Sequence, residues 1–201
     1  MKIAEILKKM ITFSNGNIHD IDHLIKVWTY AKTIGELEGL DPETQFVLEV
    51  AAITHDIACP LCREKYGNAN GKYQEIEGAP LVTEFLSDTG MTTEQISRVA
   101  YLVGHHHTLT DIKGMDYQIL IEADYIVNAS ENGYSKENVE NFVYAVDEHY
   151  YVKPEWLFEH NDFYDNYSRK IKVFSGEYAA HPFNGMNRPD ANILEGALAE
   201  A

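Results

Sequence analysis

Apolar residues recur at steps of three and four along most of the chain, up to about residue 146. This spacing gives a helix one continuous apolar face. In the first two segments the apolar positions are Ile3, Ile6, Leu7, Met10 and Ile11, then Ile21, Leu24, Ile25, Trp28, Ala31 and Ile34. The Ser-Asn-Gly-Asn stretch at 14–17 breaks the first segment, and Gly39 ends the second. The pattern therefore predicts two amphipathic helices before residue 40.

Start signals divide the following residues into further helices. Asp41 followed by Pro42 predicts a helix N-terminus, because Asp caps free backbone N–H groups and Pro fits the first helical position. After that helix, Pro60 and residues 67–71 predict a loop. The helical pattern resumes over residues 76–86.

The next two segments carry several histidines and a long apolar run. Thr92 with Gln95 matches a capping box, and it predicts a helix that ends near the three histidines at 105–107. Residues 117–124 form a continuous apolar run that suits either a buried helix or a buried strand. The length of the segment, which extends to Ala129, favours the helix.

The C-terminal third is predicted to add two helices and a tail. Residues 133–146 repeat the helical pattern, and the aromatic-rich residues 150–175 suit a helix packed on the core. Two prolines and a glycine follow at Pro182, Gly185 and Pro189, and they exclude a continuous helix there. We therefore predict one all-α domain over residues 1–175 and an irregular tail over residues 176–201.

The net charge narrows the range of partners. The chain has 201 residues, of which 45% are hydrophobic and 24% charged, as in globular proteins. It carries 32 acidic against 16 basic residues, a formal charge of −16. Such a surface repels nucleic acids and anionic membranes. A small phosphorylated substrate is compatible with this charge if metal ions or a local basic pocket offset the negative electrostatic potential.

The N-terminus and the cysteines predict a cytoplasmic protein. The first 13 residues lack an uninterrupted apolar stretch and a cleavage site, and no run approaches 18 apolar residues, so neither a signal peptide nor a membrane helix is expected. Cys59 and Cys62 are too few for a disulfide framework or a structural zinc site. We interpret them as reduced thiols on a loop.

Four residues have the chemistry of metal ligands. His23 lies on a predicted helix, His55 and Asp56 follow the end of another, and Asp124 lies inside the apolar run. Imidazole and carboxylate bind Zn, Fe, Mn and Ni, and a buried carboxylate is costly unless it is paired or coordinated. Taken singly, each of these residues is also compatible with a core histidine, a cap or an ion pair.

In order and in local context, these four residues resemble the HD superfamily of metal-dependent phosphohydrolases. The matching contexts are residues 21–27, 52–57 and 122–126. Residues 72–78 and 103–108 further resemble a bacterial group of HD-domain hydrolases. The resemblance implies an all-α helical bundle in which His23, His55, Asp56 and Asp124 converge on a buried metal.

Dinuclear members of this superfamily place additional histidines between the HD pair and the last Asp. Here the segment before Gly78, where such families often have a His, offers Glu75 and Glu77 as candidate carboxylate ligands for a second ion. The His-His pair of the family aligns best with His105 and His106. Adjacent helical side chains diverge by about 100°, so on a helix His107 would lie outside the site.

The resemblance implies hydrolysis of a phosphate ester of a small metabolite, with a nucleotide favoured, by attack of a metal-bound hydroxide. Asp56 would bridge the ions, and Lys26, one turn after His23, would reach the phosphate unless it is only a surface lysine. The ions would be Fe, Mn, Zn, Ni or Co, one or two per chain, and carboxylate ligands would also admit Mg. The alternatives are a mononuclear 5'-nucleotidase-like enzyme and a non-catalytic metal-containing ligand sensor.

Overall fold

The computed structural model describes residues 2–133, and this part of the chain contains seven α-helices and no β-strand. The helices are α1 (Ile3–Phe13), α2 (Ile18–Glu38), α3 (Pro42–Thr54), α4 (Cys59–Tyr66), α5 (Gly71–Leu86), α6 (Thr93–Val103) and α7 (Met115–Asn132). The predicted all-α class is confirmed. The helices predicted after residue 133, the domain boundary at 175 and the tail lie outside the described residues.

The capping signals in the sequence set most of the helix ends. The side chain of Asn17 accepts a hydrogen bond from the Asp20 N–H and begins α2, and Gly39, at a φ of 72°, ends it. Asp41 accepts from two backbone N–H groups at the start of α3. Thr92 and its partner three residues later form the predicted capping box of α6.

Two predicted boundaries were wrong, and so was the assumption that the three histidines are helical. Residues 59–66 form α4 rather than a loop, because Pro60 lies in the first helical turn, where a missing N–H costs nothing. Helix α5 begins at Gly71 instead of residue 76, since the Asn70 side chain caps it. Helix α6 ends at Val103, so the three histidines lie in a turn, where the 100° divergence of helical side chains does not apply.

Helix α3 forms the centre of the packing. Every residue from 47 to 54 is buried, and α3 packs against α1, α2 and α6, while α5 packs against α4 and α6. Tyr117, Ile119 and Leu120 at the start of α7 are fully buried. The helical interpretation of the 117–124 run is therefore confirmed over the strand. Of the two units into which the chain divides, the first ends at Asp124 and includes α1 to α6.

One stretch has the length and composition of a membrane span. The residues Pro42–Tyr66 have a mean hydropathy of 1.2 over their most apolar 18-residue window. However, 72% of that window is buried inside the protein, and the turn at 55–58 separates α3 from α4. Its apolar composition is that of helices in a protein core.

Candidate metal centre

The four motif residues come together from separate parts of the chain. His23 lies in α2, His55 and Asp56 lie in the turn after α3, and Asp124 lies in α7. His23 Nε2 is 3.2 Å from His55 Nε2 and 3.1 Å from Asp124 Oδ1. Asp56 Oδ2 is 3.6 Å from His23 Nε2 and 3.7 Å from His55 Nε2. We call these four residues the first ligand group.

The spacing of these atoms fits a single cation. Metal–ligand bonds of about 2.1 Å put neighbouring ligand atoms about 3.0 Å apart in an octahedron and about 3.4 Å apart in a tetrahedron. The distances that join His23 Nε2 and His55 Nε2 to each other and to the two carboxylates run from 3.1 to 3.7 Å. The cluster can therefore hold a metal ion with little movement of its side chains.

Backbone carbonyls determine which imidazole nitrogens face the centre. His55 Nδ1 lies 2.8 Å from the carbonyl of Ala52, and His106 Nδ1 lies 2.7 Å from that of Val103. A carbonyl only accepts, so each Nδ1 carries a proton, and in the neutral ring each Nε2 presents a lone pair. His106 Nε2 is buried and has no hydrogen-bond partner. A buried nitrogen without a partner is what a metal ligand looks like before the ion binds.

A second ligand group shares Asp56 with the first. Ligand atoms of Asp56, His106 and His107 lie within 4.8 Å of one another. Asp56 Oδ1 is 3.6 Å from His106 Nε2, while Oδ2 faces His23 and His55. The two oxygens of one carboxylate thus point to two different groups of ligands.

Asp56 is the most accessible member of the first ligand group. Its side chain is 27% exposed, against 5% for His23, 7% for Asp124 and 0% for both His55 and His106. His107, in the second ligand group, is exposed, so the centre opens to solvent on the side of Asp56 and His107.

The cluster favours ionised carboxylates. Burial opposes the ionisation of Asp56, but the imidazoles of His55, His106 and His23 outweigh it and lower the pKa of Asp56 well below its usual range. Burial likewise opposes the ionisation of Asp124, and hydrogen bonds with His23 and His55 lower its pKa. Both carboxylates are thus in the charged form that binds cations.

The structure places three other predicted site residues outside these groups. Glu75 Oε1 accepts from the His107 backbone N–H at 3.0 Å. Glu77 Oε1 accepts from Lys65 Nζ at 2.7 Å and from a tyrosine hydroxyl. His105 donates from Nδ1 to the Tyr101 carbonyl and stacks on the Tyr101 ring, with centroids 4.2 Å apart. Their assignment as metal ligands stays a prediction.

The predicted role of Lys26 in phosphate binding also stays a prediction. Lys26 is exposed on α2, one helical turn after the buried His23. A second cation, Arg63 on α4, pairs with Asp20 on the same α2 helix. The sequence pattern does not indicate Arg63.

Sequence reasoning missed three features of the centre. His107 belongs to the second ligand group. Its position next to two other histidines was the sequence signal that could have identified it as a ligand. Gln74 lies beside His107, and nothing in its sequence context indicates this. Cys59 and Cys62 are buried on α4 instead of lying on a loop, and burial, reinforced by Asp56, raises the pKa of the Cys59 thiol.

The chain matches the HD domain family over residues 20–149, which is 130 of its 201 residues. The chain belongs to the HD-domain family. HD domains bind divalent metals, and membership supports a metal-dependent hydrolase in general terms, in agreement with the two ligand groups.

Other comparisons add little. An extracellular exo-alpha-L-arabinofuranosidase of Streptomyces chartreusis is 54% identical over 46 residues, which is 22% of this chain. The chain spans 6% of the length of that curated relative, so the similarity concerns a short segment. No solved structure matches the chain.

Proposed function

We propose that this HD-domain protein is a metal-dependent phosphohydrolase that cleaves a phosphate ester of a small metabolite, with a nucleotide as the favoured substrate. The observation that carries the proposal is the position of Asp56. Its partly exposed carboxylate faces two groups of imidazoles, one oxygen toward His23 and His55 and the other toward His106.

The ligand residues prepare the site for a cation and keep solvent away from most of it. Divalent ions held here would polarise the phosphoryl oxygens and lower the pKa of a bound water. The carbonyls of Ala52 and Val103 hold the rings of His55 and His106 with Nε2 toward the centre. Because His23, His55 and His106 are buried, substrate would approach from the side of Asp56 and the exposed His107.

The charge of the chain favours a small substrate over a polyanion. At −16 the protein repels an approaching phosphate, so attraction depends on charge concentrated near the centre. Lys26 on α2 and Arg63 on α4, which pairs with Asp20, supply cationic side chains from two helices. On this proposal, either cation contacts the phosphate of the bound ester.

Two ions per chain explain the site better than one. A single ion in the first ligand group would leave the buried Nε2 of His106 without a partner. It would also leave Asp56 Oδ1 without a ligand role, although this oxygen lies 3.6 Å from that nitrogen. Asp56, His106 and His107 would hold a second ion, which would give both atoms a partner.

The test combines metal analysis with a substrate panel. The full chain is stripped of metal, reloaded separately with Mn, Fe, Co, Ni, Zn or Mg, and assayed on nucleotides, sugar phosphates and dinucleotides. We expect two equivalents of metal and phosphate release from one class of ester. Asp56→Asn should abolish turnover, while the matched control Asp88→Asn, which alters an exposed ion pair with Lys9, should not.

The same measurements separate the alternatives. One equivalent of metal with nucleotide hydrolysis would favour the mononuclear nucleotidase-like enzyme. Bound metal without turnover of any ester would favour the non-catalytic ligand sensor. A chain that binds no divalent ion under any condition would overturn the proposal.

A further inference from the structure

His107 is held against one face of α5 by three residues. The His107 ring lies against Gly71, its Nε2 is 3.1 Å from Gln74 Oε1, and its backbone N–H donates to Glu75. Positions three and four apart share a helix face, so these three residues form one contact surface. One side of the dinuclear site of the proposed function is therefore formed by residues outside the motif.

The side-chain amide of Gln74 has a fixed orientation. Gln74 is buried, and its Nε2 donates to the carbonyl of Ala69 at 2.8 Å. That bond leaves Oε1 as the atom that faces His107, and an amide oxygen only accepts. His107 Nε2 must therefore carry a proton and donate it to Gln74.

The hydrogen bond to Gln74 determines where the lone pair of His107 lies. In a neutral imidazole with a proton on Nε2, the acceptor nitrogen is Nδ1. The His107 ring contacts Gly71 through its Cδ2 side, which leaves Nδ1 on the side away from α5. His55 and His106 have the opposite arrangement, with the proton on Nδ1 and the lone pair on Nε2.

We propose that Gln74 is a positioning residue that makes His107 bind the second cation through Nδ1, together with Asp56 and His106. The proposal rests on the metal centre of the proposed function. Gln74 acts on the ion through His107.

Glu75 and Gly71 complete the support of His107. Glu75 Oε1 accepts both from the His107 backbone N–H and from the Thr108 hydroxyl, at 3.0 and 2.9 Å. It thereby fixes the backbone of the turn. A Cβ at Gly71 would lie 2.6 Å from His107 Cδ2, so any larger residue there would displace the ring.

The first experiment determines the tautomers directly. Nitrogen-15 NMR of the metal-free full chain, labelled at histidine, distinguishes a protonated Nδ1 from a protonated Nε2. We expect the His107 signal, assigned by its loss in His107→Ala, to show the proton on Nε2, and that of His106 to show it on Nδ1. In Gln74→Leu the His107 preference should disappear. A wild-type His107 with its proton on Nδ1 would overturn the proposal.

The second experiment measures metal affinity by titration of the apo chain with Mn²⁺ or Zn²⁺. Loss of an outer hydrogen-bond partner typically weakens metal binding about 10–100-fold. Gln74→Leu should weaken one of the two equivalents by that factor and leave the other unchanged. Gln74→Glu, which keeps the acceptor, should retain both. Lys72→Leu, at an exposed position of α5, is the matched control.

The outcomes distinguish this inference from the proposed function. Equal affinities of both ions in wild type and Gln74→Leu would overturn the role of Gln74 while leaving the hydrolase intact. A wild-type chain that binds a single ion would exclude the second site but not hydrolysis at the first. If Gln74→Leu fails to fold, Gly71→Ala displaces the same ring from the α5 side, and unchanged binding of both ions would then count against the proposal.

Discussion

Replacing Gly78 with alanine should destabilise the protein, although alanine is the better helix former. Gly78 lies in α5, and a Cβ there would be 2.8 Å from Val103 Cγ1 at the end of α6. Carbon atoms pack at about 3.5–4.0 Å, so one of the two helices must move. Val103 is fully buried and its β-branched side chain has little rotamer freedom, so a rotamer change cannot relieve the clash.

The size of the effect follows from two opposing contributions. Overpacking of a core costs about 1–3 kcal/mol, and replacing a helical glycine with alanine recovers about 1 kcal/mol. We expect the free energy of unfolding to fall by about 1 kcal/mol. For a chain of this length that lowers Tm by about 2–4 °C. Thermal unfolding of the metal-free protein, followed by circular dichroism, measures the change.

The same substitution should weaken the second ligand group. The Val103 carbonyl accepts the hydrogen bond from His106 Nδ1, so a displaced Val103 moves this ring away from Asp56. Thr83→Ala, at an exposed position of the same helix, serves as the control and should leave both Tm and metal content unchanged or slightly improved. A higher Tm in Gly78→Ala would refute the claim that α5 and α6 are in close contact here.

Three further predictions concern the metal centre. His55→Ala should remove all tightly held metal, and full occupancy after dialysis would contradict the first ligand group. The variants His105→Ala and His107→Ala separate two ligand assignments. The sequence-based assignment predicts that His105→Ala loses more metal, and the structure predicts that His107→Ala does. The pKa of Asp124 is lower in the folded chain than the value of about 3.9 in the unfolded chain. The ionised carboxylate therefore contributes its full share of the free energy of unfolding above about pH 3.9, and this share is lost as the pH falls below that value. Urea unfolding of the metal-free chain should therefore show weaker stability below about pH 4. Asp124→Asn should lose part of that dependence, because Asp56, whose pKa is also lowered, contributes the same way.

Local signals were sufficient for the fold wherever a side chain caps its own helix. Asn17, Asp41 and Thr92 each accept hydrogen bonds from N–H groups within three residues, so the sequence alone carries the information. Pro60 was misinterpreted because a proline can either interrupt a helix or occupy its first turn, and the local sequence does not distinguish the two cases. Whether it lies inside a first turn depends on how the chain folds back after residue 54.

The site was predictable only as far as its motif extends. His23, His55, Asp56 and Asp124 were found because their local contexts resemble a family, and the structure brings them together. The contact between Gln74 and His107 joins residues 33 apart in the sequence, and neither has a local pattern that indicates it. The three histidines were assigned on the assumption of a helix, and the end of α6 at Val103 removes that assumption.

The distance along the chain between His23 and Asp124 has a consequence for proteolysis. These two residues are 101 positions apart, yet their side-chain atoms are 3.1 Å apart. An ion bound to both joins the two ends of a stretch of about 100 residues, but only in the folded chain, because the ligands separate on unfolding. It therefore stabilises the folded state by its binding free energy, about 2.7 kcal/mol at a free metal concentration 100 times the Kd. Cleavage that requires unfolding between α2 and α7 should therefore slow as the metal concentration rises, and a chelator should restore it.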